Sequence, residues 1–131
     1  MLGGEPDLDA AERWVDNWQS GIAERAAQAS ALAQRLTSLT ATARCRDGLV
    51  EVSVGSSGTM TDLRLDDRIQ RQPAAATARL ILATMRAAQA QLTRHVSEVA
   101  AETVGLDSQT GQAVVASYAA RFPDPVDSDG R

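Results

Sequence analysis

The sequence predicts an α+β protein in the order long helix, two- to three-stranded antiparallel sheet, long helix. Three observations carry that prediction. Residues 49–55 alternate, with Val50, Val52 and Val54 facing one way and Glu51 and Ser53 the other, which suits a half-buried strand and no helix. The stretches on either side repeat their apolar residues every three and four positions, as helices do. Between the strands stand Asp47-Gly48 and Gly55-Ser56-Ser57-Gly58, turn sequences whose glycines can take positive φ without a Cβ penalty.

The first helix is expected to start near Asp9, which with Glu12 three residues later forms a capping box, with Pro6 just outside it. Val15, Trp18, Ile22, Ala29, Leu32, Leu36 and Leu39 then make one apolar stripe, interrupted only by Arg25. A stripe that long exceeds what a small sheet can cover, so it seeks another helix. Residues 37–42 are rich in β-branched and small residues, and the helix should fray there. Residues 41–46 read as an edge strand before Asp47-Gly48. In the last strand, over residues 60–66, Leu63 and Leu65 face opposite to Asp62, Arg64 and Asp66. The loop 67–72 carries Arg68 and Arg71.

The second helix should begin after Pro73, since proline suits a first turn and not a helix interior. Its apolar face reads Ala78, Ile81, Met85, Ala88, Leu92, Val96, Val99 and Thr103, and Gly105 should close it. Asp107 or Ser108 can cap a short helix through Tyr118 and Phe122. FPDPVDSDGR then reads as an acidic disordered tail. The organisation expected is one α-β-β-β-α domain over 1–106, followed by the short helix and tail over 107–131.

At 131 residues the chain suffices for one modest core. It has no apolar run of membrane-spanning length, and MLGGEPDLDAAERW lacks the basic and apolar parts of a signal peptide. The single cysteine, Cys45, has no internal disulfide partner and reads as a strand residue, which suits a reducing cytoplasm. The formal net charge of −4 argues against a generic polyanion binder, but it is unevenly spread. Residues 1–24 and 107–131 are acidic, whereas residues 25–106 hold ten arginines against seven acids. Every basic residue is arginine, which with the alanine richness points to a GC-rich, actinobacterial type of genome.

No catalytic constellation emerges. His95 sits at the margin of the second helix's stripe, Asp66-Asp67 ends a strand, and Glu98 and Glu102 form a solvated pair. None has the companions a metal site or nucleophile requires, so neither an enzyme nor a cofactor is expected. Arg79, Arg86 and Arg94 cluster opposite the apolar face of the second helix. The bland reading is a solvated helix face. The sharper one is that, joined by Arg68 and Arg71, they contact DNA phosphates with little sequence preference. Trp14 and Trp18 share a face of the first helix, as core or dimer-interface residues or, if exposed, as a contact for a protein partner. The sheet cannot hide its own apolar face, which points to a two-fold homodimer with Val50, Val52, Val54, Leu63 and Leu65 at the interface.

The segment GLVEVSVGSSGTMTDLRLDD, followed after five mostly polar residues by PAAATARLILATMRAAQAQL, resembles the YbaB/EbfC family. Gly48, Leu49, Val50, Val52, Val54, Leu63, Leu65 and Asp66 occupy that family's strand positions, and the resemblance covers residues 44–104. It implies an α-β-β-β-α protomer in an intertwined, tweezer-like homodimer, and a nucleoid-associated DNA-binding role in the bacterial cytoplasm. An actinobacterial branch of similar outline, the EspL-like proteins, implies an alternative. That alternative is a cytoplasmic interaction module or chaperone associated with type VII secretion, working through the first helix.

Overall fold

The computed structural model describes residues 4–124, with side-chain surroundings from residue 8 onward. Helix α1 (Gly4–Thr37) leads into strands β1 (Ala41–Arg44), β2 (Val50–Val54) and β3 (Met60–Leu65). A 3-10 turn over Asp67–Arg71 follows, then helices α2 (Ala74–Thr103) and α3 (Gln109–Arg121). The expected α+β order is the observed one. The tail expected to be disordered lies, beyond residue 124, outside the described residues.

The sheet is antiparallel in the order β1-β2-β3. Ala43 pairs with Val52, and Val52 with Leu63, so these three share one face; Arg44, Glu51 and Arg64 share the other. β1 stops at Arg44, short of residue 46, because the turn begins there. Gly48 N–H donates to Cys45 O at 2.9 Å, with Gly48 at φ 74°. At the other hairpin Gly58, at φ 83°, donates to Gly55 O at 2.9 Å. An irregularity at Ser53/Val54 brings Met60 opposite Val54.

One face of the sheet is covered by α2. Val50, Val52 and Val54 are fully buried against Ala88 and Leu92, with Ala41 and Ala43 beside them. The three valines expected at a dimer interface thus lie in the core of a single chain. α2 covers β1 and β2 but stops short of β3, whose Leu63 and Leu65 remain 39% and 45% exposed on that same face.

α1 begins at Gly4, earlier than the capping box at Asp9 suggested, so Asp9 lies inside the helix and Pro6 in its opening turns. Proline is tolerated there because the first N–H groups of a helix have no partner in it, and acidic residues favour that end of the dipole. Only the last part of α1 is packed: Leu32 is buried against Val99 and Ala100, with Leu36 and Leu39 alongside. Arg35 pairs with Glu102 at 2.6 Å, and His95 Nδ1 lies 3.2 Å from Thr40 O. Going back from residue 40 to 35 therefore means going forward along α2 from 95 to 102. The helices run antiparallel, and the rest of α1 projects past the C-terminal end of α2.

α2 starts after Pro73 and ends in a turn at Gly105, φ 87°, whose N–H donates to Ala100 O at 2.8 Å. Ala78, expected on its apolar face, is exposed, while Thr84, Ala90 and Ala100 are buried in addition to the expected residues. The reason is that α2 is packed on more than one side. Ser108 caps α3 by accepting from Gly111 N at 2.9 Å, and α3 folds back along α2. Val114 and Val115 meet the Leu32–Val99 cluster, and Tyr118 and Phe122 reach the sheet. Tyr118 Oη donates to Ser56 O at 2.9 Å, and Gln89 donates to Gly58 O at 2.9 Å, which holds the β2–β3 turn between α2 and α3.

Candidate nucleic-acid interface

The five arginines singled out in the sequence do not form one patch. Arg79 and Arg86, seven residues apart on α2, share nearly the same bearing and stand about 10 Å apart along the axis. Both are exposed, as is Arg71 at the end of the 3-10 turn. None of the three makes an ion pair or hydrogen bond with another described residue. Their guanidinium donors face solvent with their charge unspent.

Arg68 and Arg94 are engaged. Arg68 Nε donates to Asp66 Oδ1 at 2.9 Å and its Nη2 to Asp47 O at 3.0 Å, while its backbone N–H caps on the same Asp66 oxygen at 2.9 Å. The Arg68 side chain, and then its backbone N–H, hold the Asp66 carboxyl below the ordinary value; the same hydrogen bond raises Arg68. Arg68 therefore pins the loop to the β1–β2 turn. Arg94 lies beside Ala90, Thr93, Phe122 and Pro123, and its Nη1 stands 3.8 Å from Asp124 Oδ2.

The split has a geometric cause. Thr93 Oγ1 lies within 3.5 Å of the carbonyl oxygens of Tyr118 and Phe122, so α3 occupies one flank of the C-terminal half of α2. By helical bearing this is close to the flank that carries Arg79 and Arg86 in the N-terminal half. The end of α3 lies beside Ala90 and Thr93, and the two free arginines begin one turn further back.

Sequence reasoning missed three arginines. Arg121, at the end of α3, lies 4.6 Å from the Tyr118 ring centroid and 5.2 Å from that of Phe122, within cation–π range of both. Its spacing of three from Tyr118 was the available signal. On the outer sheet face, Arg44 and Arg64 flank Glu51 in register, and Arg64 Nε also pairs with Asp62 Oδ2 at 3.0 Å, so two positive charges meet two negative ones. Only the strand register, which depends on the turns, brings them together.

Trp14 and Trp18 are placed far from these arginines. They stack with ring centroids 6.3 Å apart and planes 6° from parallel, and they are 65% and 53% exposed. Among the described residues no group of histidine, cysteine and carboxylate side chains could hold a metal ion. Cys45 accepts a contact from Val50 N at 3.3 Å and lies half-buried in the sheet edge.

The helix-hairpin-helix body matches a family model, that of the YbaB/EbfC DNA-binding family, over residues 15–106. The chain belongs to the YbaB/EbfC family. That family is nucleoid-associated and binds DNA without enzymatic activity. No curated protein and no solved structure matches the chain. The YbaB/EbfC match takes in the sheet, α2 and the free arginines Arg71, Arg79 and Arg86. It stops before α3, so the helix that occupies the neighbouring flank of α2 is an addition to the YbaB/EbfC body.

Proposed function

We propose that the protein is a dimeric, nucleoid-associated DNA-binding protein of the bacterial cytoplasm that contacts duplex phosphates with little sequence preference. The observation that carries this reading is the pair Arg79 and Arg86, exposed, on one bearing, and without a counterion among the described residues. Arginine's forked donors suit phosphate oxygens, and phosphate contacts confer no sequence information. The acidic arm does not oppose them. From Arg86 to the end of α2 at Thr103 is roughly 25 Å, more than twice the screening length of about 8–10 Å at physiological salt. Arg71 joins the same end of the molecule, whereas Arg68 and Arg94 contribute to folding first.

Dimerisation in this reading uses the edge of β3. Among the described residues its backbone is unpaired on one side, and Leu63, Leu65 and the exposed Leu82 offer the apolar surface that Val50, Val52 and Val54 do not. A second β3 across a two-fold axis would extend the sheet and double the arginine set.

The test is a fluorescence-anisotropy titration of a mixed-sequence duplex at two salt concentrations. The Arg79→Glu, Arg86→Glu variant is expected to bind about tenfold more weakly or worse. The slope of log K against log salt should become shallower by about 0.9 for each phosphate that is no longer neutralised. Absence of binding by the unaltered protein at low salt, or an unchanged slope in the variant, removes the reading. Sedimentation of Leu65→Asp is expected to give a monomer. The secretion-associated alternative places its contacts on α1, so both arginine changes would leave it untouched.

A further inference from the structure

The exposed part of α1 continues the stripe that its C-terminal part uses against α2. Stepping back from Leu32 by threes and fours gives Ala29, Arg25, Ile22, Trp18, Val15, Ala11 and Leu8. Leu32 is 2% exposed beneath α2, but Ile22, Val15 and Leu8 are 42%, 40% and 64% exposed. From residue 8 to residue 27 every residue is exposed save Gly21, which is half-buried. Trp14 widens the stripe by stacking on Trp18. A soluble protein seldom leaves so continuous an apolar surface without a use for it.

Two features say what fits. The three-four spacing of the stripe is a seam for a helix, and lower on the same helix a helix does occupy it. The span from Leu8 to Ile22 is about 21 Å, which calls for roughly 15 residues of partner helix. One border of the seam is acidic: Glu12 and Asp16 line a groove with Leu8, Ala11 and Val15, while Asp9, Glu24 and Arg13 lie toward the far side of the helix and Arg25 stands at the seam's inner end. A second copy of the arm would bring like charges together, whereas a basic helix would find opposite ones. We infer that residues 8–24 of α1 form a docking surface for an amphipathic helix with basic flanks on another protein, seated on Val15, Trp18 and Ile22. This surface is independent of the DNA reading, because it shares no residue with it and lies at the far end of α2.

Trp14 and Trp18 are the only tryptophans in the chain, so their emission reports directly on the arm. The probes are two synthetic helical peptides, each of about 18 residues and with the same leucine seam, one flanked by lysine and arginine, the other by glutamate. The basic peptide is expected to shift the emission to the blue in a saturable titration that weakens with salt. Ile22→Asp, which keeps both tryptophans, is expected to weaken binding about tenfold or more. Ile22→Ala serves as the second variant if circular dichroism shows that Ile22→Asp unwinds the arm. An equal response to the acidic peptide, no shift with either peptide, or undiminished binding in both variants overturns the inference. So does a blue shift that grows with protein concentration alone, since a second copy is then the occupant. Ile22→Ala should leave DNA binding unchanged, which separates failure here from failure of the DNA reading.

Discussion

Helices α1 and α2 are of similar length and similarly rich in alanine, and they end in opposite circumstances. α2 buries Thr84, Ala88, Ala90, Leu92, Val96, Val99 and Ala100, because the sheet, the end of α1 and α3 all pack on it. Among the described residues of α1, only Leu32 is buried, although its stripe is the more regular of the two. Periodicity therefore reports that a helix has a face to cover. It does not report whether the cover belongs to the same chain. α2 is the spine of the fold, and most of α1 is a surface presented outward.

The contrast can be broken by substitution. Leu92→Ala, at a side chain with no exposure, should cost about 3 kcal/mol in chemical denaturation. Ile22→Ala on the arm should change stability by no more than about 0.5 kcal/mol. Comparable losses at the two sites would mean that the arm is packed in solution.

Gly58→Ala comes next. A Cβ there would run into the Phe122 ring, at φ 83°, so the ring must move and the backbone is strained. About 2 kcal/mol is expected in thermal unfolding, and less in a Phe122→Ala background, where only the backbone strain is left. Equal costs in both backgrounds would show that α3 does not press on the β2–β3 turn.

Ser108→Ala removes the cap on α3 and should cost about 1 kcal/mol. Because Val114, Val115, Tyr118 and Phe122 tie α3 to the spine, the loss should appear in global unfolding and not as local fraying of α3.

The smallest effect concerns the exposed pair Asp66–Arg68. With the folded Asp66 value held below the unfolded one, of about 3.9, the pair contributes above that pH. Its contribution is lost as pH falls through the lowered folded value. A carboxyl-detected NMR titration should place the Asp66 midpoint below the ordinary aspartate value. Arg68→Ala should return it upward with little change in stability, as suits an exposed pair. An unchanged midpoint would mean that Arg68 is not held in the loop and is free for phosphate.

Much of the fold was legible because it depends on neighbours in sequence. The alternation of Val50, Val52 and Val54, the turns at Gly48 and Gly58, Pro73 before α2, Gly105 after it and the Ser108 cap are local devices, and each stands where its residues suggested. The candidate site was less legible. Arg79 and Arg86 were identifiable from helical bearing alone. That Arg94 stands beside Asp124 and Arg68 against Asp66 and Asp47 was not, since each contact depends on how separate segments meet. The burial of Ala90 and Ala100 was hidden for the same reason: alanine suits a helix whether it is covered or bare.

The sequence by itself determined which segments are helix and strand, where they turn, and which side of each is apolar, because spacing and turn chemistry act within a few residues. Only the tertiary structure decided what covers each face. It gave the valines of β2 to α2 rather than to a second chain, set α3 beside two free arginines, and left Trp14 and Trp18 in solvent. Burial is a property of what approaches from elsewhere in the chain, and no local spacing records it.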